Sequence, residues 1–197
     1  MNNPTRRTVL AGMSAATLLA SPAFALTTND ARGLIDDVVS QINSVINSGK
    51  SETAMYRDFE AIFKKYADVP TISRSALGPP ARSASNKQMS DFADAFTTYL
   101  ARKYGGQFRD FIGGEITVES ARPVKSFQQV DAVAKLRGRS PFSVTFMVSD
   151  RSGRNLFFDL LIEGISLLKS ERAEIGAMLD KRGGNIDRLI NDLKTQG

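Results

Sequence analysis

The residue types that most often carry enzyme chemistry are absent from this chain, which contains no histidine and no cysteine. Their absence excludes Ser-His-Asp and Cys-His catalysis, thiolate metal sites and most zinc sites. An enzyme would have to use carboxylates, lysine or tyrosine. Asp159 and Glu163 lie on one predicted strand, but a four-residue spacing separates them by about 13 Å, too far for a catalytic pair. We predict no catalytic residue, no metal site and no cofactor.

Aromatic and leucine side chains recur every four residues in one segment, which places them along one side of a helix. They are Phe92, Phe96, Leu100, Tyr104 and Phe108. Facing them we expect inward-pointing residues of a predicted sheet, including Phe142, Phe146 and Phe158. The pattern is typical of a filled core, but it also fits an apolar cavity for a lipid between sheet and helices. Periodicity does not distinguish the two.

Five basic residues form a second candidate site. Lys135, Arg137 and Arg139 are predicted to share the outward face of one strand, and Arg151 and Arg154 flank the next turn. Such a cluster is typical of a solvated sheet face. The alternative is a docking surface for an acidic partner or for anionic lipid headgroups.

The first 25 residues have the three parts of a cleavable signal peptide. Arg6 and Arg7 precede an uncharged run over 9–20, and Ala23 and Ala25 supply the small residues that a signal peptidase reads. The arginine pair indicates the twin-arginine route. A 12-residue helix is only about 18 Å long, against a bilayer core of about 30 Å, so a membrane anchor is the weaker interpretation. We expect export of a mature chain of residues 26–197.

The mature chain has the size and charge of one ordinary exported domain. Removing residues 1–25 leaves 172 residues, enough to bury a substantial core. It keeps 24 basic and 21 acidic side chains, a formal charge of +3. This excess is too small to favour a nucleic-acid partner, and we predict a single domain with none.

Hydrophobic periodicity predicts helices at both ends of the mature chain. Before the sheet they span about 30–47, 52–67 and 70–77, followed by a longer helix that a capping box of Ser85 and Gln88 opens. After the sheet they span about 167–181 and 185–194. From Glu115 the period changes to two, and short turns at 138–140 and 150–153 join consecutive antiparallel strands. We predict an α+β fold in which the N-terminal and C-terminal helices cover a four-stranded antiparallel meander.

The alternation also predicts which face each residue of the last long strand occupies. Leu156, Phe158, Leu160 and Ile162 are expected to face the helices, and Phe157, Asp159, Leu161 and Glu163 to face away.

Three stretches of the sequence resemble a known family in their order and spacing. The first is the four-residue repeat from Gln88 to Tyr104, and the second is 159–167 (DLLIEGISL). In the tail, Arg172, a Gly183-Gly184 break and 189–193 (LINDL) follow in turn. Together they resemble the MlaC-like family, or toluene-tolerance proteins, over nearly the whole mature chain. These are periplasmic phospholipid-binding components of lipid transport between the inner and outer membranes.

The sequence departs from the family pattern at three places. The family often has Trp soon after the Leu77-Gly78 pair, where this chain has Pro79-Pro80-Ala81-Arg82. A Trp-containing turn is replaced by 155–158, and Glu171 stands where a Tyr is common. These departures concern the pocket rim and the partner surface rather than the fold.

The resemblance implies a cone similar to the nuclear-transport-factor-like fold, with acyl chains between sheet and helices. It implies a carrier that shuttles phospholipid through the periplasm and so serves outer-membrane lipid asymmetry. The implied partners are a phospholipid or related lipid, an inner-membrane ABC-transporter complex with an MCE-type subunit, and an outer-membrane lipoprotein complex. From their predicted facing, we expect the lipid to contact Phe92, Phe96, Tyr99, Leu100, Tyr104, Val144, Phe146, Phe158, Leu160 and Ile162.

Three alternatives stay open. A related branch of the family is associated with hopanoids, so the lipid class is open. A filled core would make the chain a non-catalytic adaptor. An isomerase or hydrolase on a similar cone would need a buried carboxylate or tyrosine in the pocket, and the predicted inward sheet positions are wholly apolar.

Overall fold

Four α-helices precede the sheet in the computed structural model, which describes residues 26–105 and 110–195. They are α1 (Thr28–Ile46), α2 (Glu52–Tyr66), α3 (Val69–Leu77) and α4 (Asn86–Gly105), with a 3₁₀ helix, Pro79–Arg82, before α4. Side chains cap their first turns, among them Thr27 on α1 and Ser51 on α2. The predicted signal peptide, residues 1–25, and Phe108 lie outside the described residues.

The predicted capping box at the start of α4 is confirmed. Ser85 Oγ accepts a hydrogen bond from the Gln88 backbone N–H at 3.1 Å, and the Gln88 side chain accepts one from the Ser85 N–H at 3.0 Å. Two backbone donors that the helix leaves unpaired are thereby satisfied. The box sets where α4 begins, and so which of its side chains face the sheet.

The sheet is wholly antiparallel and its strands follow one another in chain order. Its strands are β1 (Glu115–Val124), β2 (Phe127–Lys135), β3 (Phe142–Ser149), β4 (Leu156–Ile162) and β5 (Ile165–Ser166). The four predicted strands are present, and β5 is an addition of two residues. It forms because Glu163 and Gly164, with φ of +49° and +78°, reverse the chain so that Ile165 pairs with Ile162.

Two further helices, α5 (Leu167–Lys181) and α6 (Ile186–Thr195), complete the predicted α+β fold. One cluster of buried apolar side chains joins the helices to the sheet, and it includes Ile35, Phe96, Val130, Ile175 and Leu189. Of the helices described, none has the length and apolarity needed to cross a membrane.

A β-bulge in β4 changes the alternation that the sequence predicts. Val148 of β3 pairs with Phe157 and Met147 pairs with Asp159, so Phe158 is the extra residue. The outward facing predicted for Phe157 is wrong: it is buried, and its ring lies 5.8 Å from that of Phe146. Beyond the bulge the predicted inward facing resumes, with Leu160 opposite Phe146 and Ile162 opposite Val144.

Candidate functional site

An apolar cavity of about 240 Å³ lies between β3 and β4 on one side and helices α1, α2, α4 and α5 on the other. Eight of the ten residues predicted to contact lipid line it: Phe96, Leu100, Tyr104, Val144, Phe146, Phe158, Leu160 and Ile162. The core between the aromatic side chains of α4 and the sheet is therefore not completely filled. An apolar cavity of this kind excludes water and favours apolar ligands.

Three of the predicted residues are placed differently from expectation. Phe92 is fully buried and stacks on Phe96 with ring centroids 5.4 Å apart, but it is not part of the cavity wall. Tyr99 is also outside the wall, and its hydroxyl donates to Glu174 at 2.6 Å. Phe158 borders the cavity, but because of the bulge its ring contacts Phe127, with centroids 5.5 Å apart.

Other wall residues were missed because their facing depends on how the helices pack. They include Val38 and Ile42 of α1, Phe59, Ile62 and Phe63 of α2, Ile72 of α3, and Leu167 and Leu168 of α5. Phe142, which was expected to point inward from the sheet, also lines the wall, together with Phe111 and with Phe157, which the bulge turns inward. The apolar stripe of α2 was visible in the sequence as helical spacing. The spacing did not show whether these side chains contact the sheet directly or are separated from it by a cavity.

The strand-to-helix segment 159–167 fixes how α5 approaches the cavity. Asp159 accepts hydrogen bonds from the Ser166 hydroxyl at 2.6 Å and from the Leu168 backbone N–H at 3.1 Å. Ser166 in turn caps α5 by accepting from the Lys169 N–H at 3.1 Å. Together these bonds hold the first turns of α5 against the end of β4, which puts Leu168 and Glu171 in the cavity wall.

Glu171 is one of three charged residues of the cavity wall, with Glu60 and Asp159, and only 2% of its surface is exposed. Its Oε1 atom accepts a hydrogen bond from the Lys103 ammonium group at 2.7 Å and another from the Tyr104 hydroxyl. Within residues 26–105 and 110–195, no group hydrogen-bonds to its Oε2 atom. The sequence indicated this residue only as a departure from the family pattern, with no sign of its burial.

Two tyrosines, Tyr99 and Tyr104, and a second carboxylate, Glu174, complete this polar cluster. Burial lowers the pKa of Lys103, but hydrogen bonds to Glu171 and Glu174 outweigh burial and raise it above its usual value. Burial and a hydrogen bond to Glu171 raise the pKa of Tyr104, and burial and a hydrogen bond to Glu174 raise that of Tyr99 to about 12. At neutral pH the lysine is therefore charged and both tyrosines are neutral donors.

The five basic residues do not form one surface, which corrects the prediction made for them. Strand β2 ends at Lys135, so Arg137 and Arg139 lie in the β2–β3 turn rather than on a strand face. Arg151 and Arg154 lie in the β3–β4 turn. The eight residues of β3 separate the two turns by about 26 Å, at opposite ends of the sheet.

The two basic groups also differ in their contacts. Arg139 forms an ion pair of 2.5 Å with Asp110, and the Arg137 guanidinium lies over Gly113, where a Cβ atom would approach it to 2.6 Å. At the other end of the sheet, Arg151 donates to the Ser126 hydroxyl at 2.5 Å. The first group therefore has two positive charges, on Lys135 and Arg137, that no ion pair found in the described part of the chain neutralises.

Comparison with known proteins finds a similar fold and a matching family. A solved phospholipid-binding protein from Ralstonia solanacearum, in complex with a phospholipid, has a similar fold, with a TM-score of 0.71 at 18% sequence identity. The similarity covers 83% of this chain and 94% of that protein. The sequence also matches the family described as MlaC protein over residues 34–195, from α1 to the end of α6. The chain belongs to the MlaC family.

Proposed function

We propose that this protein binds phospholipid in the periplasm, with acyl chains held in the cavity between the sheet and the helices. The observation that carries the proposal is the cavity itself, whose wall includes eight of the ten predicted aromatic and aliphatic side chains. Membership of the MlaC family and the fold shared with a lipid-bound protein from Ralstonia solanacearum support it.

The cavity explains how such a protein would move lipid. Each buried methylene is worth about 0.8 kcal/mol, so two chains of roughly 15 carbons cost on the order of 20 kcal/mol to hold in water. Free diffusion of a monomeric lipid across an aqueous space is therefore negligible. A carrier that shields the chains and leaves the headgroup near solvent removes this barrier.

Shuttling between two membranes requires a partner at each end, because the pocket must open where lipid enters and leaves. We propose an inner-membrane ABC-transporter complex with an MCE-type subunit and an outer-membrane lipoprotein complex as these partners. The β2–β3 turn, with Lys135 and Arg137, is the part of the predicted basic cluster best suited to an acidic partner surface.

A catalytic function is the less supported alternative. Carboxylates and a tyrosine, which an enzyme would need, are present in the cavity wall: Glu171 and Tyr104 lie on helices and Asp159 on β4. Glu171 accepts hydrogen bonds from Tyr104 and from Lys103, and the raised pKa of Tyr104 makes its hydroxyl a poor acid at neutral pH. Their arrangement suits binding rather than proton transfer.

The experiment that tests the proposed function is lipid extraction. Mature protein purified from the periplasm, extracted with solvent and analysed by mass spectrometry, should yield phospholipid at close to one molecule per protein. Hopanoid in place of phospholipid would assign the protein to the related branch of the family. A repeated blank would contradict the carrier function and favour an adaptor.

The export route gives a separate prediction. Changing Arg6→Lys together with Arg7→Lys should leave folded precursor in the cytoplasm, because the twin-arginine route depends on the arginine pair. Cell fractionation with protease protection measures this, and wild-type protein is the control. Normal export of the double variant would show that the general secretory route suffices.

A further inference from the structure

We propose that Glu171 binds the ammonium group of an amine-bearing phospholipid headgroup, such as that of phosphatidylethanolamine. This inference rests on the proposed function and names the lipid class that the site prefers. Its basis is Glu171, a residue of the cavity wall whose Oε2 atom is buried and accepts no hydrogen bond from any group in the described residues. A buried acceptor without a donor is costly, so a ligand that supplies one gains affinity.

The position of the cluster fits a headgroup whose acyl chains occupy the cavity. Glu171 is 2% exposed, whereas the side chains of Lys103 and Glu174 beside it are 26% and 47% exposed. The polar cluster thus runs from the cavity wall to the surface at the C-terminal end of α4. Because the terminal torsion of a glutamate is soft, a small rotation presents Oε2 to a donor in the cavity.

The hydrogen bonds within the cluster determine which headgroup chemistry it accepts. Lys103 donates to both carboxylates, Tyr104 donates to Glu171, and Tyr99 donates to Glu174. These donors already have acceptors, whereas the Oε2 atom of Glu171 is an acceptor without a donor. The cluster can therefore still bind a headgroup that supplies a donor.

The net charge of the cluster also favours a headgroup that carries an ammonium group. Two carboxylates face one ammonium group, so the cluster carries one net negative charge. A headgroup with a net negative charge would be repelled, and a headgroup hydroxyl would form only a neutral-donor hydrogen bond. An ammonium group supplies both the N–H donor and the positive charge, and charge-assisted hydrogen bonds are the strong ones.

The test is a competition between headgroups. The mature protein is incubated with vesicles of equimolar phosphatidylethanolamine, phosphatidylcholine and phosphatidylglycerol with identical acyl chains, then reisolated and extracted for mass spectrometry. We expect phosphatidylethanolamine to be enriched about tenfold over both of the others. Phosphatidylcholine has the charge without an N–H donor, and phosphatidylglycerol has hydroxyl donors without the positive charge.

Two variants make the test specific to this carboxylate. Glu171→Gln should reduce the enrichment to less than about twofold with total bound lipid unchanged, because Gln lacks the negative charge. Asp180→Asn removes an exposed carboxylate from the same helix and should keep the wild-type ratio. The wild-type competition is informative even if Glu171→Gln folds poorly.

The outcomes separate this inference from the proposed function. Equal uptake of the three lipids by wild-type protein, preference for phosphatidylglycerol, or an unchanged ratio in folded Glu171→Gln would overturn the headgroup site alone. Absence of any bound lipid would overturn the proposed function and this inference with it.

Discussion

Replacing Lys103 with methionine should lower the free energy of unfolding by about 3 kcal/mol, because it leaves the buried Glu171 carboxylate without its cation. Methionine keeps the apolar stem of lysine, so the loss reports the charge rather than packing. Urea unfolding at pH 7, followed by circular dichroism, measures the change.

A double-mutant cycle isolates the ion pair from other effects of the substitution. Lys103→Met combined with Glu171→Gln should recover stability to within about 1 kcal/mol of wild type, because no unpaired charge is then buried. Lys87→Met is the matched control. It removes a lysine of α4 that pairs with Asp91 but is 83% exposed, and it should not change the denaturation midpoint. Equal losses in the single and double variants would contradict this account.

The sign of the pH dependence follows from the raised pKa of Lys103. A basic group whose pKa is higher in the folded state contributes its full stabilisation below its unfolded pKa and loses it as the pH rises through the folded pKa. The difference between wild type and Lys103→Met should therefore be constant from about pH 7 to 9 and decline only in strongly alkaline solution.

The fold could be predicted from the sequence because each element carries a local signal. The capping box of Ser85 and Gln88 gives the start of α4, and the change of period at Glu115 coincides with the start of β1. The bulge at Phe158 could not be predicted, since apolar residues at 156–158 fit either facing equally well. Strand β2 was predicted to reach Arg137, although it ends at Lys135 where the turn begins.

The sequence predicted a wall residue correctly only where the periodicity of a single helix or strand determines which way its side chain points. Leu100 and Tyr104 follow from the period of α4, and Val144 and Phe146 from the alternation of β3. Phe92 has the same period, but it stacks on Phe96 outside the cavity wall. A period reports the direction of a side chain and not the space in front of it. For the same reason, no local pattern marks the burial of Glu171, which depends on how α5 packs against α4.

Ala101 offers the most direct test of whether the lipid occupies this cavity. Ala101 lies in α4 and forms part of the cavity wall. An indole ring placed there by Ala101→Trp would fill space that the acyl chains need, without removing an existing contact. If it displaces about five methylenes at about 0.8 kcal/mol each, affinity falls by about 4 kcal/mol, or roughly a thousandfold.

The bulky ring itself could strain the fold by about 1–3 kcal/mol, so stability and lipid content must be measured on the same preparation. Ala61→Trp is the matched control, because Ala61 is exposed on α2 between the wall residues Glu60 and Ile62. It places the same side chain outside the cavity and should keep the wild-type lipid content by mass spectrometry. A folded Ala101→Trp protein that retains one lipid per chain would show that the acyl chains bind elsewhere. Loss of lipid in Ala101→Trp alone would locate the acyl chains beside α4, because the control carries the same ring on an exposed position of α2, outside the cavity.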